Sequence, residues 1–157
     1  MEVYGQPTGS NGYDIIDSPI FLYWMPAVKF ERGRVKHPWP SGYKVHIAPA
    51  ADDAERVARA LLPKLQAKRL DHKVVYPLDA YRRLNQSEQR GKFITIYPGP
   101  VLHAFTDLIN AIDPLLAEMK AKPGPLPLDR QSGYSRAERR IGVSGLVSYV
   151  TTDDYRK

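Results

Sequence analysis

The 157-residue chain has no cysteine, so it holds no disulfide framework and no thiolate metal site, and its redox compartment cannot be read from it. No apolar run comes near the length that spans a bilayer, and the N-terminus, with Glu2 in it, has no signal-peptide core. The expectation is a cytoplasmic protein with no membrane partner, although secretion of an effector by a route without a cleaved signal stays compatible. The phosphate-loop pattern GxxxxGK[ST], the dinucleotide pattern GxGxxG and the nucleophile elbow GxSxG are all missing. Besides His46, the histidines are His37 in a loop, His72 at a strand start and His103 in a helix, and no pair has zinc-site spacing beside an acid. No metal is expected.

The charge balance is more informative. There are 23 Lys plus Arg against 17 Asp plus Glu, a net charge of +6, which favours anionic partners by long-range attraction. Nucleic acid is the first such partner to consider, but no zinc finger, basic recognition helix or ribonucleoprotein-type aromatic motif supports it. A phosphorylated peptide is an equally good anion. Hydrophobic residues at 43% and charged residues at 25% are ordinary for one soluble domain.

Residues 1–19, rich in Gly, Pro, Ser and Asn, read as a flexible N-terminal lead-in, with the domain running over 20–157. Ile20 to Phe30 reads as a strand or two, broken at Pro26, and Glu31 to Ser41 as a loop. Tyr43 to Ala48 reads as a strand. From Asp52 to Lys68, Ala54, Val57, Ala58, Leu61, Leu62 and Leu65 fall on one helical stripe, with Pro63 threatening a break. His72 to Tyr76 reads as a strand, Pro77 opens a short helix through Leu84, and Lys92 to Tyr97 reads as a second strong strand. Val101 to Lys120 forms a long helix with Pro114 inside it, Lys122 to Leu128 is extended, and Leu146 to Val150 is the last strand. Strand–helix alternation suggests parallel pairing. Basic and polar residues heading several strands argue instead for a sheet with one partly open face. The expected class is α+β: a single domain with a mixed, largely antiparallel twisted sheet flanked by helices.

One strand carries unusual chemistry. Successive side chains alternate faces, so Lys44 and His46 share one face of the Gly42–Ala48 run while Tyr43, Val45 and Ile47 share the other. The plain reading is a solvated sheet face. The functional one adds Lys92 at the head of a neighbouring strand, where clustered positive charge disfavours the ammonium form, as a general base needs. Arg130, Arg136, Arg139 and Arg140 make either a solvated face or a phosphate clamp, the guanidinium fork matching phosphate oxygens two at a time. Tyr134 adds a hydroxyl to such a clamp or simply packs.

Four ordered blocks then carry a resemblance: Gly42-Tyr-Lys-Val-His-Ile-Ala48, Gly91-Lys-Phe-Ile-Thr-Ile-Tyr-Pro98, Gly124-Pro-Leu-Pro-Leu-Asp-Arg130 and Arg139-Arg-Ile-Gly142. Over about residues 40–145 the chain resembles the N-terminal lyase domain of class III and IV lanthipeptide synthetases, and more distantly the phosphothreonine lyases injected by pathogenic bacteria. The resemblance implies a phosphothreonine lyase-like domain that eliminates phosphate from phosphoserine or phosphothreonine, leaving dehydroalanine or dehydrobutyrine, without metal or cofactor. It implies Lys92 as base, Lys44 as the cation stabilising the enolate, His46 as acid to the leaving phosphate, and Arg130 and Arg140 as phosphate-binding. The fit departs from the family pattern at Glu138-Arg139-Arg140-Ile141, where the family has Tyr-Tyr-Arg-Tyr, so Arg139 stays open beside Arg140 and Tyr134 is an unaligned substitute for the missing hydroxyls. Leu128 stands where the family has serine. The expected partners are a phosphorylated precursor peptide, or a phosphoprotein, and a separate Ser/Thr kinase. The leading expectation is lanthipeptide-type maturation. The alternatives are an effector acting on a host phosphoprotein and a non-catalytic phosphopeptide-binding module.

Overall fold

Alternation between β-branched and polar residues in the Gly42–Ile47 strand sets the two faces on which the rest of the chain is arranged. The computed structural model describes residues 2–9, 12–15, 20–24, 29–31, 34–36, 39–129, 136–153 and 155. In chain order the strands are β1 (Glu2–Val3), β2 (Gln6–Pro7), β3 (Asp14–Ile15), β4 (Phe21–Trp24), β5 (Lys29–Glu31), β6 (Arg34–Lys36), β7 (Gly42–Ile47), β8 (His72–Val75) and β9 (Ile94–Gly99). They continue as β10 (Leu128–Asp129), β11 (Arg136–Ala137), β12 (Arg139–Arg140) and β13 (Val147–Thr152). The helices are α1 (Ala51–Ala67), α2 (Leu78–Leu84) and α3 (Leu102–Met119).

Seven strands form one sheet in the order β12-β13-β7-β9-β8-β4-β3. Every neighbouring pair in it is antiparallel. The α+β class is therefore as expected, and the sheet is antiparallel throughout rather than mixed. The β7-α1-β8 unit does place β7 and β8 in the same direction. They are not neighbours, because β9 inserts between them and opposes both.

Residues directly opposite each other in an antiparallel pair share a face. One face carries Val45, Ile47, Ile94, Ile96, Val74, Leu22 and Val147, all buried. The apolar stripe of α1 and the Phe105, Leu108, Ile109, Ile112 and Leu116 row of α3 join them in one core. Phe105 stacks on Tyr43 at 4.1 Å and meets Tyr149 at 5.1 Å, which lays α3 on this face. Pro63 and Pro114 lie on exposed helix faces, so each lost amide bond falls on the solvent side and neither helix breaks. Val101 and Leu102, at the head of the helix expected over 101–120, are exposed, because the buried row of α3 begins only at Phe105.

Two expectations change. The described part of the flexible lead-in is packed: Val3 and Tyr13 are buried in the core, and the Tyr4 hydroxyl donates to the Val75 carbonyl at 2.8 Å. Glycine-rich composition hid three large side chains with places to fill. Within the expected loop 31–41, β5 and β6 pair as an antiparallel two-stranded sheet. Pro26, where a strand break was expected, lies outside the described residues. At the other end of the chain, the Tyr155 hydroxyl accepts the Gly99 amide proton at 2.9 Å and donates to the Tyr43 carbonyl. That clasp spans the point where the β7–β9 register shifts between Tyr43 and Val45.

Candidate active site

The second sheet face is polar in the middle. Reading across the paired strands, Arg140, Ser148, His46, Thr95, Lys73, Tyr23 and Asp14 occupy successive register positions, so they form one row over all seven strands of the sheet. Lys44 stands two residues from His46 on the same face. Lys73 lies over the Phe21 and Tyr23 rings at 4.2 and 5.6 Å.

His46 is only 2% exposed. Its Nδ1 lies 2.8 Å from Glu138 Oε1, and Ser148 Oγ donates to the same oxygen at 3.0 Å. Glu138 is itself 6% exposed and is the single residue between β11 and β12, its backbone amide donating to the Pro127 carbonyl. Burial drives the His46 imidazole below its ordinary range. The Glu138 carboxylate opposes that shift, and the positive charges of Lys92 and Lys44 reinforce it. Burial pushes the Glu138 carboxyl up, but the imidazole, the Ser148 hydroxyl and the Lys92 charge outweigh it and hold the group below its usual value. The two groups form one tightly coupled buried pair. Among the described residues, Thr95 Oγ1, beside His46 in the row, is the one buried side-chain polar atom with no hydrogen-bond partner.

Lys92 lies two residues ahead of β9, not within it, and its Nζ donates to Gln89 Oε1 at 3.1 Å. Its charge acts on both His46 and Glu138, which places it at the site. The close packing of two sequence blocks puts it there. Gly91, at φ +75°, runs so near residues 124–127 that a Cβ would stand 2.2 Å from the Pro125 carbonyl oxygen. Only glycine fits.

The register separates the two arginines. Arg140 pairs with Ser148 and stands on the His46 face, where it lines a shallow cleft with Gly124, Pro125, Pro127 and Ser148. Arg139 pairs with Tyr149 and stands on the other face. Both are exposed. The loop after them is held from α3: Asp113, buried in mid-helix, accepts the Val143 and Ser144 amides at 2.7 and 3.1 Å. Gly142 passes over that carboxylate at φ +80° with no room for a Cβ. Arg130 and Tyr134 lie outside the described residues.

Of the expected site residues, Lys44, His46, Lys92 and Arg140 are brought together. Glu138 was read only as a departure from the family pattern. A lone acid among arginines looks solvated; its one signal was that it stands where an aromatic residue was due.

The arrangement provides Lys44 and Lys92, one imidazole with a carboxylate behind it, an arginine at the rim and the Ser148 and Thr95 hydroxyls on the strands either side of the imidazole. It suits a compact anion presented beside a proton acceptor and a proton donor.

The family model described as RamC, N-terminal domain matches residues 24–129, about two thirds of the chain. The chain belongs to the RamC N-terminal domain family. No curated protein matches it by sequence. Among solved structures, the chain resembles the type III effector and phosphothreonine lyase OspF from Shigella flexneri at 13% identity and a TM-score of 0.57, over 92% of this chain and 71% of that one. It is similar to the phosphothreonine lyase SpvC, an effector from Salmonella, at 16% identity and a TM-score of 0.58, over 96% and 76%. The Chromobacterium violaceum phosphothreonine lyase effector VirA matches at 18% identity and 0.58, over 98% and 70%. At these identities the likeness establishes the fold.

Proposed function

We propose that residues 20–157 form a phosphoserine/phosphothreonine lyase domain that acts on a phosphorylated peptide in lanthipeptide-type maturation, in the cytoplasm, with a separate kinase supplying the phosphate. The observation that carries this reading is the convergence of Lys44, His46 and Lys92 on one sheet face, with Glu138 behind the imidazole. Lys92, charged in the resting site, loses its own proton to water and then takes the Cα proton as the free amine. The electron pair forms the Cα=Cβ double bond as the Cβ–O bond breaks and phosphate departs. Lys44 balances the charge that develops on the adjacent carbonyl oxygen. His46 gives a proton to the departing phosphate oxygen, and Arg140, with Arg130, holds that phosphate. The products are a dehydroamino acid and inorganic phosphate.

Membership of the RamC N-terminal domain family supports the peptide-maturation setting. The fold shared with effector lyases supports a second reading, elimination from a folded host phosphoprotein. Incubation with a phosphothreonine peptide, followed by mass spectrometry, should show loss of phosphoric acid. Lys92→Ala should reduce that loss by at least about 10²-fold while leaving peptide binding in place. Binding without mass loss in the unsubstituted protein would instead identify a phosphopeptide-binding module. Turnover of a folded phosphoprotein but of no peptide would favour the effector reading.

A further inference from the structure

Glu138 has no counterpart in the family pattern, yet it is among the most deeply buried charged groups of the described residues. We infer that Glu138 is the positioning residue of the site: it fixes the His46 tautomer with the proton on Nδ1, turns Nε2 towards the substrate, and lets that nitrogen become charged only when a phosphate arrives.

An ionised carboxylate only accepts hydrogen bonds. Nδ1 at 2.8 Å and Ser148 Oγ at 3.0 Å from one oxygen must therefore both be donors. With Nδ1 committed to Glu138, Nε2 points away from it and carries the lone pair. Ser148 comes from β13 and Glu138 from the β11–β12 connection, so the carboxylate is held from two elements and the ring cannot swing without giving up its Nδ1 bond. Both partners lie in a water-poor setting, where a charge-assisted hydrogen bond is strong.

The groups facing the imidazole are Lys44 from its own strand, Lys92 from the segment before β9, Thr95 from β9, Ser148 from β13 and Glu138. Two cations and burial make a second ring proton unwelcome in the resting site. A phosphate ester carries up to two negative charges near neutral pH. Seated against the lysines, it cancels their field, and Nε2 accepts a proton from water or from the phosphate monoanion. That proton then passes to the departing phosphate, and Glu138 stabilises the imidazolium in between. This last role rests on His46 being the acid of the proposed elimination. The tautomer does not.

Nitrogen-15 NMR of histidine-labelled protein tests this, since two-bond correlations separate a protonated from a bare ring nitrogen. In the unsubstituted protein at mildly alkaline pH, His46 should show a proton on Nδ1 and a bare Nε2, and millimolar inorganic phosphate should protonate Nε2. Glu138→Gln keeps the shape but can donate as well as accept. It should mix the two tautomers and lower kcat by about 10–10²-fold, with KM within about twofold. A proton on Nε2 in the unsubstituted resting protein would overturn the inference, as would an unchanged tautomer in Glu138→Gln. The unsubstituted spectra need no variant to fold. If the tautomer behaves as stated but no phosphopeptide is ever eliminated, the lyase reading fails and the positioning role stands.

Discussion

Two histidines are buried among the described residues, on opposite faces of one sheet and about equally withdrawn from solvent, at 2% exposure for His46 and 0% for His72. His72 donates from Nδ1 to the Leu70 carbonyl at 2.8 Å and accepts at Nε2 from the Tyr13 hydroxyl at 2.7 Å. Trp24 stacks on its ring and Tyr13 meets it edge-on. Each nitrogen is satisfied by a neutral group, and burial lowers its pKa to about 4. It is a polar piece of core. His46 has one nitrogen on a buried carboxylate and two lysines nearby. Burial alone therefore does not make a reactive imidazole. A carboxylate on one nitrogen and the charges of Lys44 and Lys92 nearby distinguish the imidazole proposed as the acid.

Exchanging the same substitution between the two sites should give opposite failures. His46→Asn keeps a donor for Glu138 and should lose about 10²–10⁴-fold in elimination rate, with a melting temperature within a few degrees. His72→Asn leaves the Tyr13 hydroxyl and the local packing unsatisfied. It should lose about 2–4 kcal/mol of stability while elimination per folded molecule stays within about twofold. Similar losses of both properties in both variants would erase the distinction.

Acidification should expose the contribution of His72 to stability. The folded value of His72 lies near 4 against an ordinary 6.5, so below pH 6.5 the unfolded chain takes a proton that the folded chain refuses. Stability from His72 is complete above pH 6.5 and falls as pH drops towards 4, by on the order of 3 kcal/mol. Urea unfolding at pH 7 and pH 4.5 should show this loss, and His72→Asn should remove much of it. Glu138, held low, acts in a more acid window: its contribution is present above about 4.5 and is lost as pH falls further. The smallest change, Tyr13→Phe, removes the hydroxyl that His72 Nε2 accepts from. It should cost about 1–3 kcal/mol, read as a lower urea midpoint, with no effect on turnover.

Local patterns show part of this in advance. Every residue of the α1 stripe, Ala54 to Leu65, is buried as its spacing implies, and Lys44 and His46 share a face because strand alternation demands it. His72 was legible only as a strand start, since its burial depends on Tyr13, which is 59 residues away in a segment whose composition suggests mobility. Glu138 reaches across 92 residues to His46, and nothing within ten residues of it announces that contact. The choice between Arg139 and Arg140 depends on β12–β13 register, a pairing that two adjacent arginines cannot encode by themselves. Periodicity reports what an element does with its own faces. It is silent on which distant side chain arrives there.

The Tyr155 clasp has a practical side. Burial pushes this hydroxyl up to about 12, so it remains a proton donor across any working pH and the clasp does not open by titration. It grips the backbone on both strands beside the register shift, one residue from Lys44. A preparation clipped just ahead of Tyr155 keeps α1, α3 and the apolar cluster they cover, losing only the edge contact of Tyr155 with Tyr97. By circular dichroism or size-exclusion chromatography it should pass as intact, and its fault should show only in an assay that depends on where Lys44 points. For this protein, the presence of Tyr155 is a quality criterion to be checked by mass, not by foldedness.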